Sequence, residues 1–389
     1  MNASPTSRAW VALLLCALLA GCAHRPPREA AEQLLRDGRF AAASEPIDKA
    51  SVFALSDAMQ RFLASEFSTP AALRDPRRAL VEALNDPRRL ALSYDAGRTR
   101  TAAQAFDARA GNCLSLVVMT AALARQLGLP VSFRSVRVEE LYTRSGDLTV
   151  ASGHINLVLG QPSARKWHGA NEATDLTIDF LPPEEVRGQS SDPLREETIV
   201  AMYLNNRAAE ALADGRLSDA YWWAREALLQ DAAFDAAANT LAVVYLRSGL
   251  LPEAETALRR VLAQDPDHTS ALSNLVVSLQ RAGRATEAAA TAERLARIQP
   301  YPPFHFFELG RQAMAAGDYG RARDLFAREL RRQPFQHEVH FWAALAHWRL
   351  GHNERAAEHL RLAMENSLTR GAHDLYAAKL DRLRALRLQ

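Results

Sequence analysis

The sequence has little lysine, few cysteines and almost no net charge. Only three of its 47 basic residues are lysine, and the formal net charge of the 389 residues is +2 at pH 7. Because charges of both signs are interspersed, the chain has no basic patch, and we expect no nucleic-acid partner. An Asp-rich calcium loop is also missing from the sequence, which excludes one common class of metal site.

Histidine is present, but not in the spacing of a helical metal site. Five histidines lie within residues 337–359: His337, His340, His347, His352 and His359. None of them is four residues from another on one helix with a carboxylate partner, as two ligands on one helical face require. We therefore expect neither a metal ion nor an organic cofactor.

Long apolar runs are also missing, with one short exception at the N-terminus. Residues 9–20 are apolar, too few to span a membrane as a mature helix but typical of a signal sequence. The run leads into the tetrapeptide Leu-Ala-Gly-Cys at Leu19–Cys22, which resembles the lipobox of bacterial lipoproteins. The resemblance implies cleavage before Cys22 and lipid attachment to its thiol. Residues 1–21 are then a signal peptide, and residues 22–28 are a tether.

A lipid on Cys22 predicts a location in the bacterial cell envelope. The next residue is Ala23 and not the aspartate that retains such lipoproteins at the inner membrane, so we expect the periplasmic face of the outer membrane. Cys113 then becomes the sole thiol of the folded part, because Cys16 leaves with the signal peptide. It has no partner for an intramolecular disulfide.

Cys113 stands at the start of a predicted helix. Asn112 is a suitable capping residue, and Gly128 followed by Pro130 ends the helix. A thiol on the first helical residue lies beside unpaired backbone N–H groups and the positive end of the helix dipole, and both favour the thiolate. Cys113 is therefore a candidate nucleophile. The alternative is a small apolar side chain on a core helix.

After Pro130 the apolar pattern changes from helical to strand-like. We predict strands at Val131–Val138, Gly153–Leu159 and Glu172–Phe180. His154 enters the second strand, and Asp175 and Asp179 share one face of the third. In a thiol triad the imidazole takes the thiol proton and a carboxylate orients the imidazole. The alternatives are a hydrogen-bonded core histidine for His154 and a turn cap for Asp179.

Three short segments resemble the transglutaminase-like superfamily: Gly111-Asn112-Cys113 at a helix start, Gly153-His154 entering a strand, and Thr177-Ile178-Asp179-Phe180 at a strand end. The resemblance covers residues 90–190 and implies the α+β fold of papain-like thiol enzymes. It implies that Cys113 is the nucleophile, His154 the base and Asp179 the third member. Many members have Asp-Pro after the strand, whereas here Phe180 follows Asp179, so Asp175 stays an alternative. Bacterial members include peptidases, amide-forming and cross-linking enzymes, and some that have lost catalysis.

The residues before the Cys113 helix have helical apolar spacing from Glu29 to Asp107. We expect this part to form supporting helices, so the predicted transglutaminase-like domain spans residues 29–190. The backbone N–H of Cys113 is a candidate oxyanion donor in that domain, and Gln104 is a second candidate.

The second half of the sequence is a repeat array. Five glycines follow one another at steps of 34 residues: Gly215, Gly249, Gly283, Gly317 and Gly351. A helix–turn–helix period of this length is that of the tetratricopeptide repeat. We predict five repeats in residues 197–370 and a capping helix in residues 371–389. The predicted fold is therefore an α+β transglutaminase-like domain followed by an all-α superhelix.

The concave face of such a superhelix is lined by the first helix of each repeat. The fifth position of these helices is Asn205, Asn239, Ser273, Phe307 and Phe341. Amides at one end and aromatics at the other fit an extended peptide held by backbone contacts and an apolar anchor. Core packing between repeats is the alternative for the aromatics.

Two functions follow from these observations. The first is a membrane-anchored thiol enzyme that hydrolyses or transfers at a peptide amide through a Cys113 thioester, with the repeats recruiting a protein or peptide. The alternative is a non-catalytic scaffold, in which the repeats bind a partner and the transglutaminase-like domain is vestigial.

Overall fold

The computed structural model describes residues 28–86, 88–145, 148–160, 175–180, 189–367 and 370–386. The predicted signal peptide, Cys22 and the tether up to residue 27 lie outside the described residues. Within these ranges, every helix is too short or too polar to span a bilayer.

Short helices form the N-terminal part of the described chain. They are α1 (Arg28–Glu32), α2 (Asp57–Glu66), α3 (Pro70–Arg74), α4 (Pro76–Asn85) and α5 (Ala102–Ala108), with 3-10 turns at Asp37–Arg39 and Ala50–Phe53. Ser56, Thr69 and Asp75 cap three of them, because each side chain accepts a backbone N–H of the first turn. Pro70 and Pro76 occupy first helical positions, where the missing N–H costs no hydrogen bond. Helices are thus present in this part of the chain, as the apolar spacing predicts.

The next helix, α6 (Cys113–Gln126), begins at the predicted residue. The short parallel strands β1 (Ser93–Tyr94) and β2 (Ala110–Gly111) pair just before it. Every side chain from Leu114 to Ala124 is buried, as expected for a helix surrounded by protein on all sides. Gly128 follows the helix with a φ of +70°, a left-handed conformation that glycine adopts without strain.

Four strands among the described residues form one antiparallel sheet, in the order β5-β4-β3-β6. They are β3 (Val131–Ser145), β4 (Leu148–Leu159), β5 (Leu176–Ile178) and β6 (Ser191–Leu194). Strands are present in all three predicted regions. β3 and β4 extend beyond their predicted bounds, and their register shifts between Val136 and Leu141. β5 covers only part of the predicted Glu172–Phe180, of which residues 172–174 lie outside the described residues. The sequence pattern does not predict β6, an edge strand that pairs with β3 and tolerates Pro193. On one face of the sheet, α6 packs against β4.

The described residues from 196 to 365 form five helix–turn–helix pairs. The pairs are α7 (Glu196–Ala213) with α8 (Leu217–Gln230), α9 (Asp235–Arg247) with α10 (Leu251–Gln264), α11 (Thr269–Arg281) with α12 (Ala285–Ile298), α13 (His305–Ala315) with α14 (Tyr319–Arg332), and α15 (His337–Arg349) with α16 (Asn353–Glu365). The turn in each pair holds a glycine with φ between +73° and +78°, where other residues are strained. A last helix, α17 (Arg370–Leu386), buries Tyr376 and Leu380 at the end of the array.

The stack of helix pairs is interrupted between the third and fourth pairs. Pro302 and Pro303 precede α13, and Phe304 between them and the helix has a left-handed φ of +61°. Buried apolar residues fall into separate clusters on the two sides, one ending in the third pair and the other beginning at Phe304. Two apolar side chains of the third pair, Val277 and Ile298, are each exposed to 38%.

The N-terminal unit and the first three helix pairs share one hydrophobic core. A single cluster of buried apolar residues runs from Ala31 to Ala288. At the junction, the Tyr245 hydroxyl donates a hydrogen bond to the Leu34 carbonyl at 2.6 Å, and Phe40 stacks on Tyr221 with ring centroids 4.0 Å apart. The thiol-bearing unit and the first three repeats are thus packed around one core.

Candidate active site

Cys113 is a free, partly exposed thiol on the first residue of α6. The helix is capped as the sequence predicts, because Asn112 Oδ1 accepts the backbone N–H of Ser115 at 2.9 Å. The same oxygen accepts the Ser115 hydroxyl at 2.8 Å. The sulfur therefore lies at the positive end of a well-capped helix, where a negative charge is favoured.

His154 and Asp179 are brought together by the sheet. Strands β4 and β5 pair Leu157 with Ile178, and Asp179 follows directly, so its side chain reaches His154 near the middle of β4. The Nε2 atom of His154 lies 2.7 Å from Asp179 Oδ1, and His154 is only 1% exposed. Asp175 is exposed before the start of β5, so the carboxylate beside His154 is that of Asp179.

The pKa of His154 reflects three influences. Burial by itself lowers the pKa of the imidazole, but the hydrogen bond to Asp179 and the approach of the Cys113 thiol outweigh it and raise the pKa to about 9. The ring is therefore protonated at neutral pH and carries the charge that both neighbours favour. Its second nitrogen, Nδ1, is buried and makes no hydrogen bond of standard geometry within the described part of the chain.

Asn156 also belongs to this site, although it is not among the residues predicted from the sequence. Its Nδ2 donates to Asp179 Oδ2 at 3.2 Å, so both carboxylate oxygens of Asp179 have a donor. The signal was present, because residues two apart on a strand share a face and Asn156 follows His154 at that step. Asn156 and His154 together fix the orientation of the carboxylate.

Gln104 forms part of a helix cap, and its role as a second oxyanion donor stays a prediction. Its side-chain Oε1 accepts the Thr101 backbone N–H at 3.1 Å, and the Thr101 hydroxyl accepts the Gln104 N–H at 3.3 Å. These reciprocal bonds form the capping box of α5. The side-chain oxygen of Gln104 thus takes part in the cap of α5.

The C-terminal histidines pack against each other between α15 and α16. His340 Nδ1 lies 3.0 Å from His359 Nδ1, and the rings of His347 and His359 stack with centroids 5.3 Å apart. Burial, with the nearby His340 and His347, lowers the pKa of His359 to about 4, so its ring is neutral at pH 7. No group of three or more metal-ligand side chains suited to an ion occurs among the described residues.

The predicted groove residues divide into two groups. Asn205 and Asn239 are half-buried; Asn239 Oδ1 accepts Asn274 Nδ2 at 3.0 Å, and Asn205 Oδ1 has no hydrogen-bond partner among the described residues. Phe307 is fully buried beside Phe326, so its prediction as a groove-lining residue is wrong.

Phe341 is only partly buried, and the last helix covers it. Its ring stacks on Tyr376 of α17 with centroids 5.3 Å apart. The Lys379 ammonium of the same helix lies 5.6 Å from the centre of the Phe341 ring. The aromatic end of the predicted groove is therefore occupied by the chain itself.

Comparison with known proteins identifies the repeats. The family model described as tetratricopeptide repeat matches residues 239–303 and 307–367. Similar solved structures include a mutant of MamA (23% identity, 44% of this chain and 100% of that chain, TM-score 0.25). YrrB, titled as a tetratricopeptide-repeat protein with an unusual peptide-binding site, has 19% identity over 46% of this chain and 92% of its own, with a TM-score of 0.25. A thermophilic tetratricopeptide-repeat protein of Thermus thermophilus has 17% identity over 46% of this chain and 98% of its own, with a TM-score of 0.29.

No curated protein matches the chain. The family match covers the second to fifth helix pairs, and the first pair continues the same 34-residue glycine spacing. Arrays of this kind present an extended concave surface and support binding of a protein or peptide. The C-terminal, all-helical part of the chain is a superhelix of tetratricopeptide repeats.

Proposed function

We propose that the chain is a membrane-anchored thiol enzyme of the transglutaminase-like superfamily, acting at a peptide amide through a thioester on Cys113. One observation carries the proposal: buried His154 binds Asp179 at 2.7 Å and has its pKa raised further by the Cys113 thiol. A nucleophile, a base and an orienting carboxylate are the groups that acyl transfer through a thiol requires.

The chemistry follows from these three side chains. The Cys113 thiolate attacks the amide carbon, the carbonyl oxygen takes up the negative charge, and the Cys113 backbone N–H is the proposed donor that stabilises it. When the C–N bond breaks, the His154 imidazolium gives its proton to the leaving amine and a thioester remains. Water or an amine then loses a proton to neutral His154 and attacks the thioester, which breaks the C–S bond and restores the ion pair.

The repeats supply the partner-binding part of the proposal. Asn205 and Asn239 are half-buried on the first helices of the first two repeats, the helices expected to line the concave face, and such amides suit the backbone of an extended peptide. Because these repeats share a core with the thiol unit, a bound chain is held at a fixed position relative to Cys113. Binding energy gained there favours reaction at one bond of the substrate.

A non-catalytic scaffold is the second candidate function. It is favoured by the family match, which lies wholly within the repeats. In that case the thiol unit packs against the first repeat as a structural element, and Cys113 reacts like any partly exposed thiol.

Labelling with iodoacetamide separates the two candidates. We expect Cys113 of the folded protein to react at pH 7 at least tenfold faster than in urea, because the helix dipole and the His154 imidazolium favour the thiolate. His154→Gln should reduce the rate to that of the unfolded chain, whereas His268→Gln, at a helix start in the third repeat, should leave it unchanged. The modified Cys113 peptide is quantified by mass spectrometry. Equal rates in the folded and unfolded chain would contradict the enzyme and favour the scaffold.

Membrane attachment is proposed through lipid on Cys22. Cys22→Ser should move the protein almost entirely from the membrane to the soluble fraction, because several acyl chains supply stable anchoring. Cys16→Ser, within the signal peptide, is the matched control and should keep the protein in the membrane. Fractionation after a high-salt wash, followed by immunoblotting, gives the distribution. A Cys22→Ser protein that stays with membranes would contradict lipid anchoring.

A further inference from the structure

A chain of hydrogen bonds connects the first repeat to the capping residue of the Cys113 helix. Glu210 of α7 accepts the backbone N–H of Thr99 through Oε1 at 2.6 Å. Thr99 in turn accepts Asn112 Nδ2 through its hydroxyl oxygen at 2.9 Å. Asn112 is the residue whose Oδ1 caps the first turn of α6. Both ends of the Asn112 amide are therefore fixed, one by the helix and the other by the repeat through Thr99.

The position of this chain makes its bonds hard to replace by water. Thr99 is only 2% exposed, and a buried N–H without an acceptor is costly. Arg100 also contacts the cap of the Cys113 helix, because its backbone N–H donates to the Ser115 hydroxyl at 2.8 Å. The loop before α5 thus contacts the cap of the Cys113 helix at two points and the first repeat at one.

Glu210 is itself held firmly. Its second oxygen, Oε2, accepts Arg207 Nη1 at 2.7 Å. Arg207 is buried, donates through Nη2 to Glu45 at 2.8 Å, and lies over the Trp223 ring at 5.3 Å. One carboxylate oxygen of Glu210 therefore binds within the repeat and the other binds the loop, so the repeat fixes where Thr99 lies.

We propose that Glu210 is a positioning residue for the Cys113 nucleophile and acts through Thr99 and Asn112. The proposal rests on the thiol function proposed above and makes the first repeat a part of the active site. Cys113 directly follows Asn112, so the orientation of the capping amide sets the position of the sulfur relative to His154. Loss of the Glu210 contact releases the loop, loosens the cap and moves the sulfur from its place beside the imidazole.

The test compares iodoacetamide labelling of Cys113 in four folded variants at pH 7. Thr99→Val keeps the shape but removes the acceptor for Asn112, and Glu210→Ala removes the acceptor for Thr99; each should slow labelling about tenfold. Thr99→Ser keeps the hydroxyl, so Cys113 should be labelled at the wild-type rate in this variant. The double variant Glu210→Ala/Thr99→Val should be no slower than the worse single variant, because both act through one chain of bonds.

Asp219→Ala is the matched control. Asp219 is another buried carboxylate of the first repeat, and it binds the N-terminal segment through the Ser44 N–H and hydroxyl, both at 2.7 Å, without contacting the Thr99 loop. Its loss weakens the same junction and should leave the labelling rate unchanged. The positioning role is overturned if Asp219→Ala slows labelling as much as Glu210→Ala, or if folded Thr99→Val reacts at the wild-type rate.

Hydrogen exchange distinguishes this proposal from the thiol function itself. If wild-type Cys113 is not activated, the thiol function fails, but exchange in residues 113–117 still reports on the cap. Glu210→Ala and Thr99→Val should raise exchange in that segment, while Thr99→Ser and Asp219→Ala should not. Unchanged exchange in the first two variants overturns the positioning role whatever the reactivity of the thiol.

Discussion

Replacing Asp179 with asparagine is expected to slow acylation of Cys113 about 10³-fold while the chain stays folded. The Asp179 carboxylate accepts two hydrogen bonds, from His154 Nε2 at 2.7 Å and from Asn156 Nδ2 at 3.2 Å. An amide offers only one acceptor atom, so an asparagine at this position leaves one donor facing an NH₂ group. The imidazole then loses its fixed orientation and the charge that keeps it protonated.

The measurement is the burst of p-nitrophenol released when p-nitrophenyl acetate acylates the protein. Asp175→Asn removes a carboxylate four residues away that is exposed and outside the site, and it should keep the wild-type rate. If both variants were acylated more slowly to a similar extent, the cause would be a general effect of charge. If Asp179→Asn were acylated at the wild-type rate, Asp179 would not be a member of the triad.

The same variant should change the pH dependence of stability. A group whose pKa is raised in the folded state contributes stability that is complete below its unfolded pKa and is lost as the pH rises through its folded pKa. For His154 these values are 6.5 and about 9, so the wild type should lose about 3 kcal/mol of unfolding free energy between pH 6 and pH 9.5. Urea unfolding at the two pH values measures the loss. In Asp179→Asn the loss should be smaller, because the hydrogen bond to Asp179, the largest influence that raises the pKa of His154, is gone.

The secondary structure around the site was predictable where the local pattern carries the information. The Cys113 helix has a capping asparagine, a continuous apolar body and a terminal glycine, and it begins and ends where these residues predict. The sequence of β6 does not indicate a strand, because its four residues include a proline and show no alternation of apolar and polar side chains. Main-chain pairing with β3 makes it a strand, and that pairing joins residues distant in sequence.

The site was predictable by residue type and order but not in its supporting contacts. Cys113 at a helix start, followed by His154 and Asp179 in later strands, has the residue types and the order of a thiol triad. Asn156 looks like an ordinary polar strand residue. Glu210 lies 111 residues from Thr99 in sequence, and no local pattern joins residues so far apart.

The Phe307 prediction failed for a different reason. The 34-residue spacing correctly predicts that Phe307 lies on a helix. It does not predict which side chains pack against Phe307. Phe326 fills the space next to Gly310, where a Cβ would lie 2.5 Å from its ring. Phe307 packs on that ring with centroids 5.9 Å apart, so the side chain belongs to the core of the fourth repeat.

Deleting the repeats is expected to unfold the thiol unit rather than to release a stable domain. The cluster of buried apolar residues that holds α6 continues without a break into the first three repeats. The N-terminal segment also depends on them, because Arg36 donates its N–H to the Tyr221 hydroxyl at 2.7 Å and Leu34 accepts from Tyr245 at 2.6 Å. Exposing a buried leucine or phenylalanine costs about 2 kcal/mol, and a domain is stable by only about 5–15 kcal/mol.

A chain that ends between the third and fourth repeats, where the core is interrupted, is the matched control for this deletion. A chain of residues 28–303 ends where Val277 and Ile298 are already exposed, so its new end uncovers little apolar surface. We expect this chain to unfold cooperatively in urea and to keep rapid Cys113 labelling. A chain of residues 28–195 should show no cooperative transition, and its Cys113 should react at the rate of the unfolded protein. Cooperative unfolding of the shorter chain would contradict the shared core, because the thiol unit would then fold without the apolar surface that the repeats provide.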